Sequence, residues 1–140
     1  MDKIQVVFWT QSGNTQAMAE AIGKGITEAG KEANVVYVGS ASLDDLKAAK
    51  AFALGCPSMG VEVLDEAEME PFVAEVEGFA SGKTIALFGS YGWGDGEWMR
   101  TWDARCNDAG ANIACDYVIC NEAPDDEAKE ACAGLGRVLA

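Results

Sequence analysis

Apolar positions along this chain follow two rhythms. Short apolar runs at Ile4 to Trp9, Ala33 to Val38, Ala51 to Gly55, Lys83 to Gly89 and Asn112 to Cys120 predict five strands. Between them the spacing turns helical. Met18, Ile22 and Ile26, with Gly25 and Ala29, share one face until Gly30 stops the helix. Further helices are predicted over Leu43 to Lys47, Glu66 to Phe79, Glu97 to Asn107 and Asp125 to Leu139. Runs that are apolar on both faces, such as Ile85-Ala86-Leu87-Phe88, imply a parallel sheet covered by helices on both sides. Right-handed crossovers then favour a doubly wound α/β architecture in the order 2-1-3-4-5, with strand 2 at one edge. With 140 residues and no repeat, linker or low-complexity segment, a single domain over 1–140 is expected.

In such a sheet, ligands bind beyond the carboxyl ends of the strands, which selects the loops after strands 1, 3 and 4. The first reads Thr10-Gln11-Ser12-Gly13-Asn14-Thr15 and leads into a helix. Gly13 permits close backbone approach, the hydroxyls and amides are donors, and the helix N-terminus adds unpaired N–H groups and a favourable dipole. The loop holds no Lys or Arg. Neutral donors suit a terminal phosphate monoester, whereas a nucleoside triphosphate site normally uses a lysine and a metal. The second loop is Gly55-Cys56-Pro57-Ser58-Met59-Gly60-Val61-Glu62. The third, Gly89-Ser90-Tyr91-Gly92-Trp93-Gly94-Asp95-Gly96-Glu97-Trp98, sets aromatic residues among glycines where the chain is expected to face solvent. A flat conjugated ligand accounts for them, with Trp93 or Tyr91 on one face and the Met59 thioether on the other.

Composition removes whole classes of chemistry. Twenty-three acidic against ten basic residues give a net charge of −13, which disfavours nucleic-acid and anionic-membrane partners and favours a basic protein partner. There is no histidine, so Ser-His-Asp and Cys-His catalysis and His-ligated zinc are out of reach. Five irregularly spaced cysteines without a CxxC fit reduced thiols of a cytoplasmic protein. Cys115 and Cys120 have the first gap of a plant-type iron–sulfur motif, but Ala123 stands where the next ligand belongs. Gly82-Lys83-Thr84 ends like a Walker A motif, but Glu77 replaces its first glycine and a strand follows. No run approaches the roughly 18 apolar residues of a membrane span, and no signal-type segment is present at the N-terminus.

The segment Leu87-Phe88-Gly89-Ser90-Tyr91-Gly92-Trp93-Gly94-Asp95-Gly96-Glu97-Trp98-Met99, with the Thr10–Thr15 loop and the Met59-Gly60 turn, resembles the short-chain flavodoxins of anaerobic bacteria essentially end to end. The resemblance implies a flavodoxin-like fold and a low-potential one-electron carrier that uses non-covalently bound FMN. It places the FMN phosphate on Thr10, Ser12, Asn14 and Thr15, within a loop that also contains Gln11 and Gly13. The flavin ring is then expected between Met59 and Trp93, bordered by Ser58, Gly60, Val61, Glu62, Ser90, Tyr91, Gly92 and Gly94. Glu62 corresponds to the family acid that bonds flavin N3–H, and Gly60 to the residue whose carbonyl turns toward a protonated N5. Two positions depart from many relatives: Gln11-Ser12 in the phosphate loop, and Val61 where Asp is common. If Met59-Gly60-Val61-Glu62 forms a four-residue turn, type II′ puts positive φ on Gly60 and an ordinary φ on Val61, which a β-branched residue accepts.

Each element has a plainer reading. Thr10 to Thr15 suits an N-cap, Met59 a core filler, Trp93 and Trp98 sheet-edge packing, and Glu62 a solvated acidic run. Three loops brought together by one fold favour the cofactor site, with Trp98 kept at the sheet edge. A receiver-type signalling module needs acids after strand 1 and an Asp after strand 3, where this chain has Thr10-Gln11 and Gly55-Cys56. A flavodoxin-like activator of an enzyme such as a ribonucleotide reductase is the closer alternative. The acids Glu62, Asp65, Glu66, Glu68 and Glu70, joined by Asp95 and Glu97, are expected to disfavour anionic reduced flavin relative to the neutral semiquinone. They are also expected to steer a monomer toward basic-faced redox proteins such as ferredoxin-dependent oxidoreductases or hydrogenases.

Overall fold

The computed structural model describes residues 3–60 and 62–140. In chain order the elements are β1 (Lys3–Phe8), α1 (Asn14–Glu28), β2 (Glu32–Tyr37), α2 (Leu43–Ala48), β3 (Ala51–Gly55), α3 (Met69–Glu77), β4 (Thr84–Tyr91), α4 (Glu97–Asp108), β5 (Asn112–Ile113), β6 (Val118–Asn121) and α5 (Asp126–Leu139). All strand pairs among these elements are parallel, in the order β2-β1-β3-β4-β5, and β6 also pairs with β4. This is the doubly wound order expected from the alternation of strands and helices.

The central strands are apolar on both faces because successive side chains point to opposite sides. Val7, Phe52, Leu54, Ile85 and Leu87 face one core, which is closed by Met69, Phe72 and Val76 of α3 and Trp98, Met99 and Trp102 of α4. Val6, Phe8, Ala53, Ala86 and Phe88 face the other, closed by Met18, Ile22 and Ile26 of α1 and Cys132, Leu135 and Leu139 of α5. Each buried Leu, Ile or Phe contributes about 1.5–3 kcal/mol relative to exposure, so two sandwiched layers secure the sheet that carries the loops.

Three expectations need correction. The fifth strand is not continuous: Ile85 aligns with Ile113, and Phe88 with Val118. Two residues of β4 (86 and 87) thus face four of the neighbouring chain (114–117), and the surplus leaves the ladder, which splits it into β5 and β6. The helix expected from Glu66 begins at Met69, because the Asp65 carboxylate accepts from the N–H groups of Glu68 (2.7 Å) and Met69 (3.0 Å) and caps it there. Trp98 is not at the sheet edge. Only 2% exposed, it lies in the core beneath the loop after β4, and its Nε1 donates to the Cys56 carbonyl at 3.0 Å.

Candidate functional site

Because β1, β3 and β4 are neighbours, the loops at their carboxyl ends are joined by the backbone itself. The N–H of Trp9 donates to the Gly55 carbonyl at 3.0 Å, that of Cys56 to Phe88 at 3.2 Å, and that of Ser58 to Ser90 at 3.0 Å. They enclose a cleft lined by Gln11, Ser12, Asn14, Pro57, Ser58, Met59, Ser90, Tyr91, Gly92 and Glu122.

Gly13 holds the first loop in a left-handed conformation (φ 93°) at the start of α1, and its N–H donates to Thr10 Oγ1 at 3.0 Å. A non-glycine residue resists that conformation. Among the described residues no side chain caps α1. Its first-turn N–H groups therefore keep their capacity to bind an anion, and no lysine or arginine of the loop competes for it. Gln11 and Ser12 are exposed and Asn14 is half-buried. Thr15, 1% exposed, is tied into the fold: its Oγ1 lies 3.0 Å from Ser90 Oγ. One hydroxyl proton makes that bond, and the other remains free to donate.

Ser58 supplies the most telling atom. Among the described residues its Oγ is buried without a hydrogen-bond partner, a state that normally costs about 1–3 kcal/mol. A polar ligand group in the cleft would satisfy it. The half-buried Met59 beside it pairs with Val63 in an antiparallel bridge, N–H to carbonyl at 2.8 and 2.9 Å in the two directions. The turn is thus one residue longer than expected, closing at Val63 rather than Glu62. Positive φ falls on both Gly60 (51°) and Glu62 (54°), and Val61 lies outside the described residues.

From within this turn, Glu62 reaches the loop after β4. Its Oε1 accepts from the N–H groups of Asp95 at 3.2 Å and Gly96 at 3.3 Å. That loop is shorter than expected, since β4 continues through Ser90 and Tyr91. Tyr91 is half-buried, with its ring centroid 5.7 Å from that of Trp98. Of the three aromatic residues only Trp93 stands in solvent, at 59% exposure. Gly92 and Gly94 flank it, both exposed.

Glu122 was not among the sequence candidates. Its φ is 60°, its N–H donates to the Tyr91 carbonyl at 2.8 Å, and it lines the cleft because β6 runs beside β4. The rule that selected the other loops would have found it if applied to the fifth strand. The acids that follow the Met59 turn in sequence are also less uniform than their sequence suggests. Asp65 is buried in its capping role, and Glu70 together with Glu77 grips Arg105, with bonds of 2.8 to 3.2 Å. Glu68 accepts from the Tyr37 hydroxyl at 2.6 Å, which, with burial, pushes that phenol up to about 12. Burial likewise pushes the Cys56 thiol to about 12. Next to the cleft, then, Cys56 is a protonated core residue and not a nucleophile.

The flavodoxin family model matches residues 6–135. The chain is 44% identical to the flavodoxin of Clostridium beijerinckii over 137 residues, which covers 98% of this chain and 99% of that protein. It belongs to the flavodoxin family. The flavodoxin of Megasphaera elsdenii is 38% identical over 137 residues, covering 98% of each chain. The solution structure of that flavodoxin in its two-electron reduced state superposes with a TM-score of 0.89 over 97% of each chain. As a short-chain flavodoxin, the protein is an electron carrier that uses FMN and exchanges electrons with redox partners, rather than an enzyme with a substrate of its own. Relatives this similar along their full length do not favour the enzyme-activator alternative. No helix among the described residues is long and apolar enough to cross a membrane.

Proposed function

We propose that this single-domain flavodoxin holds FMN in the cleft between the loops after β1, β3 and β4 and works as a low-potential carrier. The observation that carries the assignment is the buried, unpartnered Ser58 Oγ, in a cleft whose wall includes the uncapped start of α1. The residues fit the cofactor. Neutral hydroxyl, amide and backbone donors of Thr10, Ser12, Asn14 and Thr15 match a phosphate monoester, while Met59, Tyr91 and Trp93 offer apolar faces to a conjugated ring.

FMN, when bound, takes up and gives back electrons singly. Every other role falls to the chain. Met59 and Trp93 would exclude water from the ring, Glu62 would offer a carboxylate acceptor to its N3–H, and the Gly60 carbonyl would offer an acceptor to its N5 edge. Glu62, Glu122 and Glu97 oppose further negative charge near the ring and keep the last electron at low potential, while Asp95 is paired with Arg100. The same acids present a negative face to a basic-faced partner of the ferredoxin-dependent oxidoreductase or hydrogenase kind, met in the cytoplasm by a monomer.

Titration of apoprotein with FMN and with riboflavin tests the site. FMN is expected to bind far more tightly, and equal affinities would remove the phosphate loop from the assignment.

A further inference from the structure

We infer that Arg100 is a positioning residue for the cleft, acting through a single peptide group. The peptide joining Asp95 to Gly96 is held from both sides. Its carbonyl oxygen, on Asp95, accepts from Arg100 Nη1 at 2.9 Å. Its N–H, on Gly96, donates to Glu62 Oε1 at 3.3 Å. In a trans peptide the carbonyl and N–H point in opposite directions, so a cation at one end and an anion at the other align with the peptide dipole. Turning the plane over would bring each charge against the wrong end. The same guanidinium also bonds the Asp95 side chain, Nη2 to Oδ1 at 3.0 Å, which fixes the residue as well as its carbonyl.

The surrounding backbone explains why such a hold is needed. Gly94 (φ 87°) and Gly96 (φ 94°) bracket the group in left-handed conformations, so the local chain is free to reorient. Glycine at 94 accommodates that positive φ, and a Cβ there would lie 2.2 Å from Glu62 Oε1 and push the carboxylate aside. Glu62 gives Oε1 to the N–H groups of both Asp95 and Gly96, which leaves Oε2 for another donor. Arg100 therefore orients the amide that seats Glu62, although guanidinium and carboxylate do not touch. This rests on the reading of Glu62 as the acceptor for the flavin ring, and it extends that reading to a residue on α4.

The experiment compares wild type, Arg100→Met, Arg100→Lys and Glu62→Gln as FMN-loaded proteins, reading amide hydrogen exchange at Asp95 and Gly96 together with the FMN dissociation constant. Exposed charged contacts are individually weak, so Arg100→Met is expected to accelerate Gly96 exchange and to raise the dissociation constant about threefold each. Arg100→Lys keeps the charge but not the forked geometry, and is expected to fall between Met and wild type. Unchanged exchange in Arg100→Met, or a lysine variant indistinguishable from wild type, would overturn the inference. If Glu62→Gln leaves FMN affinity unchanged, the reading of Glu62 fails instead, and Gly96 exchange in Arg100→Met still decides whether Arg100 holds the peptide.

Discussion

At Ser58 a single oxygen has opposite effects on folding and on binding. Its Oγ is buried and unpartnered, so the apoprotein carries an unfavourable desolvated hydroxyl. Ser58→Ala is expected to stabilise apoprotein by about 1 kcal/mol in urea unfolding while weakening FMN binding. If affinity does not change, the hydroxyl is not a ligand. Trp93 presents the converse case, a large apolar ring at 59% exposure whose burial awaits a partner surface. FMN addition is expected to quench tryptophan fluorescence, and Trp93→Ala to remove a disproportionate share of the quench. The comparison is needed because Trp9, Trp98 and Trp102 also emit. An unaltered quench would transfer the outer-face role to Tyr91.

At the scale of elements, α1 and α5 pack backbone against backbone. A Cβ at Gly25 would lie 2.0 Å from the Ala133 carbonyl oxygen, and one at Gly136 2.2 Å from that of Ile22. Backbone atoms cannot yield as a side chain can, so α5 would have to shift off the core it shares with α1. Gly25→Ala is expected to lower stability by about 1–3 kcal/mol in chemical denaturation, despite alanine's higher helix propensity. A neutral or stabilising result would show that the two helices separate readily. The effect on the phosphate loop should be indirect, since that loop is fixed at the opposite end of α1 by Gly13 and Thr15.

Across the whole molecule, buried thiols and surface charge govern the response to conditions. Burial raises Cys56, Cys106 and Cys132 from an ordinary value of 9.0 to about 12. The folded state binds these protons more tightly than the unfolded state. The resulting stability is therefore fully present below about pH 9 and is lost as pH rises from there toward 12. Urea midpoints are expected to fall over that window, and less steeply in Cys106→Ala once its own stability loss is subtracted. A midpoint constant from pH 8 to 11 would contradict this. The charge of −13 acts at longer range. Electron transfer to a basic-faced acceptor should slow as salt rises, and Glu66→Lys should flatten that dependence. Glu66 is the cleaner site for this test, because Glu68 already holds the Tyr37 hydroxyl. A rate insensitive to ionic strength in wild type would remove electrostatic steering from the proposal.

The amino-acid sequence determined the strand order and the loops that meet, because apolar periodicity is local and right-handed crossovers leave few topologies. It also supports the proposal of an anion cradle at Thr10 to Thr15, since glycine and small donors at a helix start act through their own backbone. What it could not determine were features that depend on groups distant in the chain. Trp98 reads as an edge residue until the Cys56 carbonyl, 42 positions away, is seen to take its N–H. The fifth strand reads as continuous until β4 proves two residues too short to pair with it. Asp65 and Glu62 belong to one acidic run in the sequence, yet one is a buried cap and the other a clasp on the loop after β4. Tertiary structure decided these because a carboxylate or an indole takes its role from the partner it meets, and those partners come together only when the sheet brings its loops to one end.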